Sequence, residues 1–268
     1  GIILKCFAEK GYDVDWMMIN AADYGYVQKR RRVFIFAHKS DAKKSKKKNT
    51  FDIDNLNSDD LINNNFFTKE FKVKELKGLT SCDLTKFKDI VSVSDNFNDG
   101  KFLNMGSMRK GKVIMADYKA DYAAAKNGKK LKEILEKKAD EKYFLTADQI
   151  LKAKATKDSK KIERTLSTGF KYNYSEGAMC FPDNINGPAR TMLTSEGTLN
   201  RSTHYIGVGP GDKKIRTLTP VETERINGFP DNWTNTGMPE KFRYFCMGNA
   251  LVVDLIEKFG MMLNEYEK

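Results

Sequence analysis

Three polar side chains at alternate positions, Gln28, Arg30 and Arg32, stand directly before the apolar run at residues 33–37. Alternate side chains of an extended chain share a face, so we expect these three to point the same way as a row of hydrogen-bond donors. Each arginine carries a planar guanidinium that fits a phosphate or the edge of a nucleic-acid base. The same spacing is equally compatible with an ordinary solvated strand end, and the pattern alone leaves both interpretations open.

Hydroxyl and arginine side chains are concentrated in a second segment, residues 187–206. Short strands joined by loops are predicted here, and such groups donate hydrogen bonds to phosphates and to base edges. An ordinary polar β-hairpin would have the same composition, so that alternative stays open. His204, one of 2 histidines in the chain, is predicted to be a satisfied surface or hairpin residue and not a catalyst.

A third candidate is the small-residue segment Gly248, Asn249 and Ala250. The apolar residues that follow it have helical spacing, so we expect the segment to open a helix packed against a larger body. The N-terminus of a helix can receive a carboxylate or a phosphate, and small residues leave it accessible. Most helix N-termini are only capped, so the spacing alone carries little weight.

The chain carries 47 lysines and arginines against 36 aspartates and glutamates, a net charge of +11 over 268 residues. This balance favours a polyanionic partner, with nucleic acid first and a membrane surface second. No apolar stretch is long enough to span a bilayer. The 4 cysteines, Cys6, Cys82, Cys180 and Cys246, are far apart and have no neighbours at metal-ligand spacing. Neither a metal site nor a disulfide is expected, which indicates a reducing cytoplasm.

The first part of the chain reads as helix, strand, loop and strand. Gly11 suits the C-terminal cap of the helix. Val14, Trp16 and Met18 alternate as in a strand with one face inward. The next strand, residues 33–37, is apolar throughout, which is typical of a strand covered on both faces in an α/β sheet.

The middle of the chain gives weaker signals. Residues 39–48 are rich in lysine and are predicted to be a linker or surface loop. A nucleic-acid role for this run is the less favoured alternative, since charge runs are usually only solvated. Residues 105–111 read as a basic loop without the spacing of a phosphate-binding loop. Thr146 and Gln149 form a capping box that predicts the start of a helix.

One short helix near the C-terminus is well defined by its ends. Thr219 is its N-cap, Pro220 occupies the first helical position, and Glu222 closes a capping box. Gly228 ends the helix. These local rules leave Arg216, just before the helix, without an explanation.

Three of these segments together resemble the cytosine-5 DNA methyltransferase family. Residues 12–37 are similar to its eighth sequence block, in which Asn-Ala-x-x-Tyr-Gly leads to Gln-x-Arg-x-Arg and an apolar strand. Residues 216–231 are similar to the ninth block, Arg-x-Leu-Thr-Pro-x-Glu ending in Gly-Phe-Pro-Asp, and residues 248–260 to the tenth, Gly-Asn-Ala-x-x-Val. The order and spacing of three such blocks make the resemblance specific.

Three further features of that family are absent from this sequence: a glycine-rich cofactor motif, the Pro-Cys-Gln that carries the nucleophile, and Glu-Asn-Val. In the family all three precede the eighth block, so the resemblance implies the C-terminal part of such an enzyme. The implied fold class is α/β, with the C-terminal portion of a Rossmann-like methyltransferase sheet and a smaller, irregular mixed α+β target recognition domain. The implied division is the end of the catalytic domain at 1–40, the recognition domain at 41–240 and a returning helix at 241–268.

The resemblance also implies a reaction and a set of roles. Methyl transfer from S-adenosylmethionine to C5 of a cytosine in double-stranded DNA requires that the base be flipped out of the stack. Arg32 would reach the flipped cytosine while Gln28 and Arg30 hold that region, and these are the catalytic candidates. Thr191 would grip a phosphate beside the flipped nucleotide. The remaining candidates are Arg190, Ser195 and Arg201 for DNA contact and Asn249 and Ala250 for the cofactor pocket.

The chain alone is predicted to be inactive and to depend on an N-terminal catalytic part, either missing here or carried by a separate polypeptide. Its expected setting is the cytoplasm, in restriction-modification, with no membrane partner. Two alternatives stay open: a DNA-binding specificity subunit of a split methyltransferase that performs no catalysis, and a relative that methylates RNA. Apolar surface along the first strands and the last helix is expected to make the isolated chain associate.

Overall fold

The computed structural model describes residues 1–40, 50–96, 102–121 and 126–267. By its contacts the chain forms two compact units. The first unit comprises Gly1–Gly25, Arg31–Asn127 and Glu257–Lys268, and the second comprises Tyr26–Arg30 and Gly128–Ile256. The functional division at 40 and 240 follows other boundaries and stays a prediction. Most of the lysine-rich run at 39–48 lies outside the described residues.

The first unit is built around a five-stranded sheet. Gly11, at φ 71°, ends its first helix as predicted. The helices are α1 Ile2–Glu9, α2 Ser58–Asn64 and α3 Ile90–Asn96. The strands are β1 Tyr12–Asn20, β2 Arg31–Lys39, β3 Val73–Asp83, β4 Met105–Arg109 and β5 Lys112–Ala120, in the order β2-β1-β4-β5-β3.

The predicted mixed α/β class is confirmed, and the central sheet is antiparallel at every described pairing. Residues 105–111, which were expected to be a loop, are strand β4 and the turn into β5. Lys110 and Gly111 form this turn with φ of 50° and 79°. A tight hairpin of this kind needs positive φ at both central residues, and the sequence offers a glycine at only one of them.

Strand β1 is buried on both faces, which corrects the expectation of a single inward face. Asp15 is fully buried and accepts hydrogen bonds from Ser107 Oγ at 2.6 Å and from Arg109 Nη2 at 2.9 Å. A carboxylate can leave water when charged and polar donors replace its solvation. The acidic residues between the apolar positions of β1 therefore did not mark a solvent face.

Strand β2 is one of the two edge strands of the described sheet, and β3 is the other. Val33 and Ile35 are 51% and 46% exposed, so the expectation of a strand covered on both faces is wrong. The alternate face carries Phe34, whose ring centroid lies 4.6 Å from that of Phe259. One face of β2 is therefore packed on aromatic side chains, and the other presents aliphatic side chains to solvent.

The second unit combines short helices with two antiparallel strand pairs. The last helix, α8 Val253–Glu267, starts in this unit and continues into residues of the first. None of the helices in the described ranges has the length and apolar character that a bilayer crossing requires. The other elements are α4 Leu131–Ile134, α5 Ala147–Lys157, β6 Lys160–Thr165, β7 Lys171–Glu176, β8 Tyr205–Val208, β9 Lys214–Thr217, α6 Pro220–Ile226 and α7 Glu240–Asn249.

The two capping boxes predicted from the sequence are confirmed. Thr146 and Gln149 cap α5 reciprocally, and Thr219 and Glu222 do the same for α6. The buried Glu222 carboxylate also accepts two hydrogen bonds from Arg216, at 2.8 and 2.6 Å. This bidentate pair explains Arg216, which the local rules had left over: it neutralises the carboxylate that closes the cap.

The expectation that residues 248–250 open a helix is wrong. Gly248 and Asn249 form the last turn of α7, Ala250 is its C-cap, and the next helix begins at Val253. Gly248 has a packing role instead, since a Cβ atom built there would lie 2.4 Å from the backbone nitrogen of Thr194. The end of α7 thus touches the backbone of the 193–194 segment, and only glycine permits that approach.

Replacing this glycine should therefore destabilise the fold. We expect Gly248→Ala to lower the free energy of unfolding by at least about 1–3 kcal/mol, because the methyl group meets backbone that cannot move aside. Gly260→Ala in α8 is the matched control, since its Cβ would meet nothing within 4 Å. That control should be neutral or stabilising by up to about 1 kcal/mol. Urea denaturation of both variants measures the difference, and equal stabilities would contradict the packing role.

Candidate functional site

Two distant segments of the second unit run side by side at the candidate site. The backbone nitrogen of Ala189 donates to the carbonyl oxygen of Val27 at 2.7 Å, and that of Lys29 donates to the carbonyl oxygen of Ala189 at 2.8 Å. This parallel pairing brings Thr191 beside the Gln-Lys-Arg run, where its hydroxyl donates to the Lys29 carbonyl oxygen at 2.5 Å. Thr191 remains partly exposed, so its side chain stays within reach of a ligand.

Gln28 is fully buried and joins three parts of the second unit. Its amide nitrogen donates to Asn227 Oδ1 at 3.0 Å. Its amide oxygen accepts from the backbone nitrogen of Met192 at 3.2 Å and from Arg30 Nη1 at 3.3 Å. A buried primary amide is costly unless its donors and acceptors are paired, and here both ends are engaged.

Arg30 is 4% exposed and extends the same network. Its guanidinium donates to the carbonyl oxygen of Met192 at 3.2 Å and to that of Gly248 at 3.1 Å. Asn227 continues the chain of contacts by donating to the Met247 carbonyl oxygen at 2.9 Å. We call Gln28, Arg30, Asn227 and these backbone groups the buried polar network. It links residues from all three segments on which the family resemblance rests.

Of the predicted row of three donors, Gln28 and Arg30 lie together, with Arg30 Nη1 3.3 Å from Gln28 Oε1, whereas Arg32 differs from them in burial. Strand β2 begins at Arg31, so only Arg32 lies in the strand, and Gln28 and Arg30 precede it in the buried polar network. Arg32 is partly exposed and donates to the carbonyl oxygen of Arg31 at 2.8 Å. Gln28 pairs with Ala189 in a parallel bridge ahead of the strand, and the Gln28 and Arg30 side chains are both bonded to buried acceptors.

Arg190 braces its own loop. Its guanidinium donates to both carboxylate oxygens of Asp183, at 2.5 and 3.1 Å, and to the carbonyl oxygens of Ser202 and Thr203. Burial alone would raise the pKa of Asp183, but the hydrogen bonds from Arg190 and the neighbouring positive charge bring that pKa below its usual value. These contacts give Arg190 a structural role in its loop, and its predicted contact with DNA stays a prediction.

Arg201 is likewise a brace. It donates to the carbonyl oxygens of Thr156 at 2.8 Å, Asp158 at 2.7 Å and Gly177, and its Nε lies 3.0 Å from a carboxylate oxygen of Glu176. These partners flank the β6–β7 pair on both sides in the sequence. Arg201 therefore has a structural contact at each end of the pair, and its predicted contact with DNA stays a prediction.

Ser195 is exposed, with its hydroxyl 3.2 Å from that of Ser202. The next residue, Glu196, is buried and lies 2.9 Å from His204 Nδ1, and its other oxygen accepts from the His204 backbone nitrogen at 2.8 Å. His204 is itself fully buried, so the expectation of a surface position is wrong, and of its ring nitrogens only Nδ1 has a hydrogen-bond partner among the described residues. Ser195 is therefore exposed to solvent, while the neighbouring Glu196 fixes the loop through its two contacts with His204.

The proposed cofactor residues do not form the anion-receiving helix start that was expected. Asn249 is exposed and donates from its side chain to the Phe245 carbonyl oxygen at 3.1 Å. Ala250 follows as the C-cap of α7. The C-terminal end of a helix carries partial negative charge and does not attract a carboxylate or phosphate. On this geometry, residues 249 and 250 do not by themselves fit the carboxylate of S-adenosylmethionine.

Sequence reasoning missed two buried groups. Asn227 has no role in the sequence-based predictions, although its amide is the hub of the buried polar network. Glu224 is also buried and accepts from the Thr234 backbone nitrogen and from Arg243 Nη2, both at 2.9 Å. The signal available in the sequence was the presence of polar residues on the inner side of a short helix. Their role could not be predicted without the tertiary partners that satisfy them.

The cysteines give no sign of a nucleophile or of a metal centre. Cys6 and Cys180 are exposed, Cys82 is buried, and Cys246 is partly buried. Among the described residues, no group of three or more His, Cys, Asp and Glu side chains is arranged to hold a metal ion. The chemistry of the candidate site is therefore that of hydrogen-bond donors and backbone positioning.

Comparison with solved structures shows a likeness of fold. The S. pombe Dnmt2 methyltransferase matches with a TM-score of 0.52 at 12% identity, covering 99% of this chain and 62% of that one. A variant of Spodoptera frugiperda DNMT2 matches with a TM-score of 0.50 at 12% identity, covering 97% and 60%. At these identities the likeness concerns the fold alone.

Comparison of sequences is more specific. The type II methyltransferase M.Sau3AI of Staphylococcus aureus is 45% identical over 268 residues, which is 100% of this chain and 61% of that protein. The chain thus spans about three fifths of the length of this curated relative. The model of the C-5 cytosine-specific DNA methylase family matches residues 1–265. The chain therefore belongs to the C-5 cytosine-specific DNA methylase family.

Proposed function

We propose that this chain is the DNA-recognising part of a DNA (cytosine-5)-methyltransferase, which transfers a methyl group from S-adenosylmethionine to C5 of a flipped cytosine in a specific duplex sequence. One observation carries the proposal. The buried polar network ties the segments around Arg30, Asn227 and Gly248 together, although they are far apart in the sequence. These are the three segments that resemble the family's blocks, so in this chain the blocks contact one another through one network.

The network suits a supporting role in that reaction. Addition of a thiolate to the cytosine ring develops negative charge, and donors fixed in advance at the edge of the ring lower the barrier. Gln28 and Arg30 are buried and bonded to backbone, so in this proposal they position neighbouring groups and do not touch the base. Arg32 retains an accessible guanidinium and is the proposed contact to the cytosine. Thr191 is the proposed phosphate contact, in which its one hydroxyl hydrogen turns from the Lys29 carbonyl oxygen to a phosphate oxygen.

The nucleophile and most of the cofactor site are assigned to a second polypeptide segment. The sequence has no Pro-Cys-Gln, and the chain spans 61% of its curated relative. S-adenosylmethionine is proposed as the methyl donor on the strength of family membership, and no step is derived from Asn249 or Ala250. The exposed face of β2, with Val33 and Ile35, is the proposed contact surface for that segment.

Two other functions are distinguished by assay. A DNA-binding specificity subunit would bind duplex DNA but never support methyl transfer. A methyltransferase acting on RNA would label a transfer RNA in preference to duplex DNA. The +11 net charge is compatible with all three functions, since it concerns polyanions in general.

The first prediction concerns activity on mixing. Tritiated S-adenosylmethionine should give no transfer to duplex DNA with this chain alone, because it lacks a nucleophile in the Pro-Cys-Gln setting. Addition of a polypeptide carrying that motif, from the relative or from an upstream reading frame, should restore transfer. Transfer by the chain alone would contradict the division of labour, and transfer only to RNA would favour the RNA methyltransferase.

The second prediction concerns Arg32. In the reconstituted enzyme, Arg32→Ala should lower kcat about 10²–10³-fold, the usual effect of removing one preorganised donor, while binding of the cofactor is retained. Lys74→Ala is the matched control, because it removes one positive charge from an exposed strand position away from β2. Single-turnover kinetics measure both variants. Equal rates for the two would rule out the proposed contact.

The third prediction concerns Thr191. Thr191→Val should weaken binding of duplex DNA about tenfold, because a hydrogen bond to a charged phosphate contributes about 1.5–3 kcal/mol. Thr191→Ser keeps the hydroxyl and should bind nearly as the wild type does. Fluorescence anisotropy with labelled duplex gives the Kd values. A serine variant as weak as the valine variant would indicate that the methyl group, and not the hydroxyl, matters.

A further inference from the structure

The β6–β7 pair is a two-stranded ribbon that projects from the second unit. We use the word ribbon for residues 160–176. Every residue of β6 is exposed, and β7 is exposed at all positions except the partly buried Tyr172 and Glu176. Isolated two-stranded hairpins are only marginally stable in water. A hairpin retained outside the core therefore calls for a role that its contacts within the fold do not supply.

The base of the ribbon is held rigidly. Arg201 bonds Thr156 and Asp158 on the side that enters the ribbon, and Glu176 and Gly177 on the side that leaves it. The brace thus fixes both ends of the ribbon to the loop that follows Thr191. The ribbon is set on a firm support, although its strands lie in solvent.

A buried lysine strengthens this support. Lys157, the last residue of α5, is 1% exposed and donates to the carbonyl oxygens of Arg201 at 2.8 Å and Thr203 at 2.7 Å. Burial, with the charge of Arg190 nearby, lowers the pKa of Lys157 to about 8. The entry to the ribbon is therefore bonded to the same loop twice, through Arg201 and through Lys157.

The two faces of the ribbon differ in chemistry. Cross-strand register places Ile162 opposite Tyr174 and Arg164 opposite Tyr172, with the Arg164 guanidinium 4.4 Å from the centroid of the Tyr174 ring. Alternation puts hydrogen-bonding side chains on the other face. That polar face carries Lys161, Glu163, Thr165, Lys171, Asn173 and Ser175.

We propose that the ribbon enters the major groove of duplex DNA and reads the target sequence with its polar face. The major groove of B-DNA admits a two-stranded β-ribbon, and asparagine and lysine pair with the edges of adenine and guanine there. The strands carry basic residues at 160, 161, 164 and 171 against acidic residues at 163 and 176, which complements the phosphate backbone. At the tip, Leu166 and Phe170 are 49% and 64% exposed and can contact thymine methyl groups. The inference rests on the proposed function only in taking duplex DNA as the substrate.

The test compares sequence selection by the chain with and without the ribbon. Random-sequence duplexes are bound by the full chain, recovered and sequenced, and a Kd is measured on the selected duplex. In one variant Gly-Gly replaces residues 161–175, which removes two net positive charges from exposed strands. The matched control is Lys152→Ala with Lys154→Ala, which removes the same charge from the exposed surface of α5.

The ribbonless variant should lose at least tenfold in affinity for the selected duplex and should select no sequence, while the control keeps its preference. Asn173→Ala is a second variant that leaves the fold in place. It should relax the preference at one base pair about tenfold, with an unchanged salt dependence, because it removes a base contact and no phosphate contact. Unchanged selection by the ribbonless variant, or by Asn173→Ala, would overturn the assignment.

Other outcomes separate this inference from the proposed function. Loss of association with the catalytic polypeptide, with DNA selection intact, would make the ribbon a protein-docking element and overturn the inference. Ribbon-dependent selection of a duplex without any methyl transfer on reconstitution would overturn the proposed function and support the inference. Methylation of an unchanged target by the reconstituted ribbonless enzyme would support the proposed function and overturn the inference.

Discussion

A buried guanidinium is the constraint on which the candidate site depends. Arg30 carries a permanent charge into the interior of the second unit, and such a charge is tolerated only where fixed acceptors replace water. The acceptors are the carbonyl oxygens of Met192 and Gly248 and the amide of Gln28. A shift of any one of these segments would leave the charge poorly solvated. The segment before β2, the loop with Thr191 and the end of α7 are therefore held together by one side chain.

The same principle recurs across the second unit, where arginines act as braces more than as surface charges. Arg190, Arg201, Arg216 and Arg243 each bond a carboxylate, and several also bond backbone carbonyl oxygens. A planar fork with five donors can satisfy several acceptors at once, which an ammonium group cannot do with equal rigidity. Attraction to a polyanion then comes mainly from the lysines and from residues in the segments that these arginines hold in place. The chain is therefore strongly basic although many of its arginines are engaged by acceptors within the fold.

Elements whose causes are local were predictable. The capping boxes at Thr146 and Thr219 and the glycine at position 11 follow from hydrogen bonds within one turn of chain, and each lies where the sequence placed it. The family was equally accessible, because it depends on the order of short blocks. Predictions that required knowledge of neighbours failed. The apolar run of β2 predicts a strand covered on both faces, but one face is exposed. The alternation in β1 predicts one inward face, but both faces are buried.

The sequence by itself determined the helix ends at Gly11, Thr146 and Thr219, the mixed α/β class, the basic character and the membership of the family, because each depends on residue type and spacing along the chain. Only the tertiary structure decided which arginines are free. Arg30, Arg190 and Arg201 look alike in sequence to an arginine that contacts DNA, yet each is engaged by carbonyl or carboxylate oxygens from distant positions. The physical reason is that a guanidinium takes whichever acceptors the fold brings within about 3 Å. Partners that lie far away in sequence cannot be read from the spacing around the arginine.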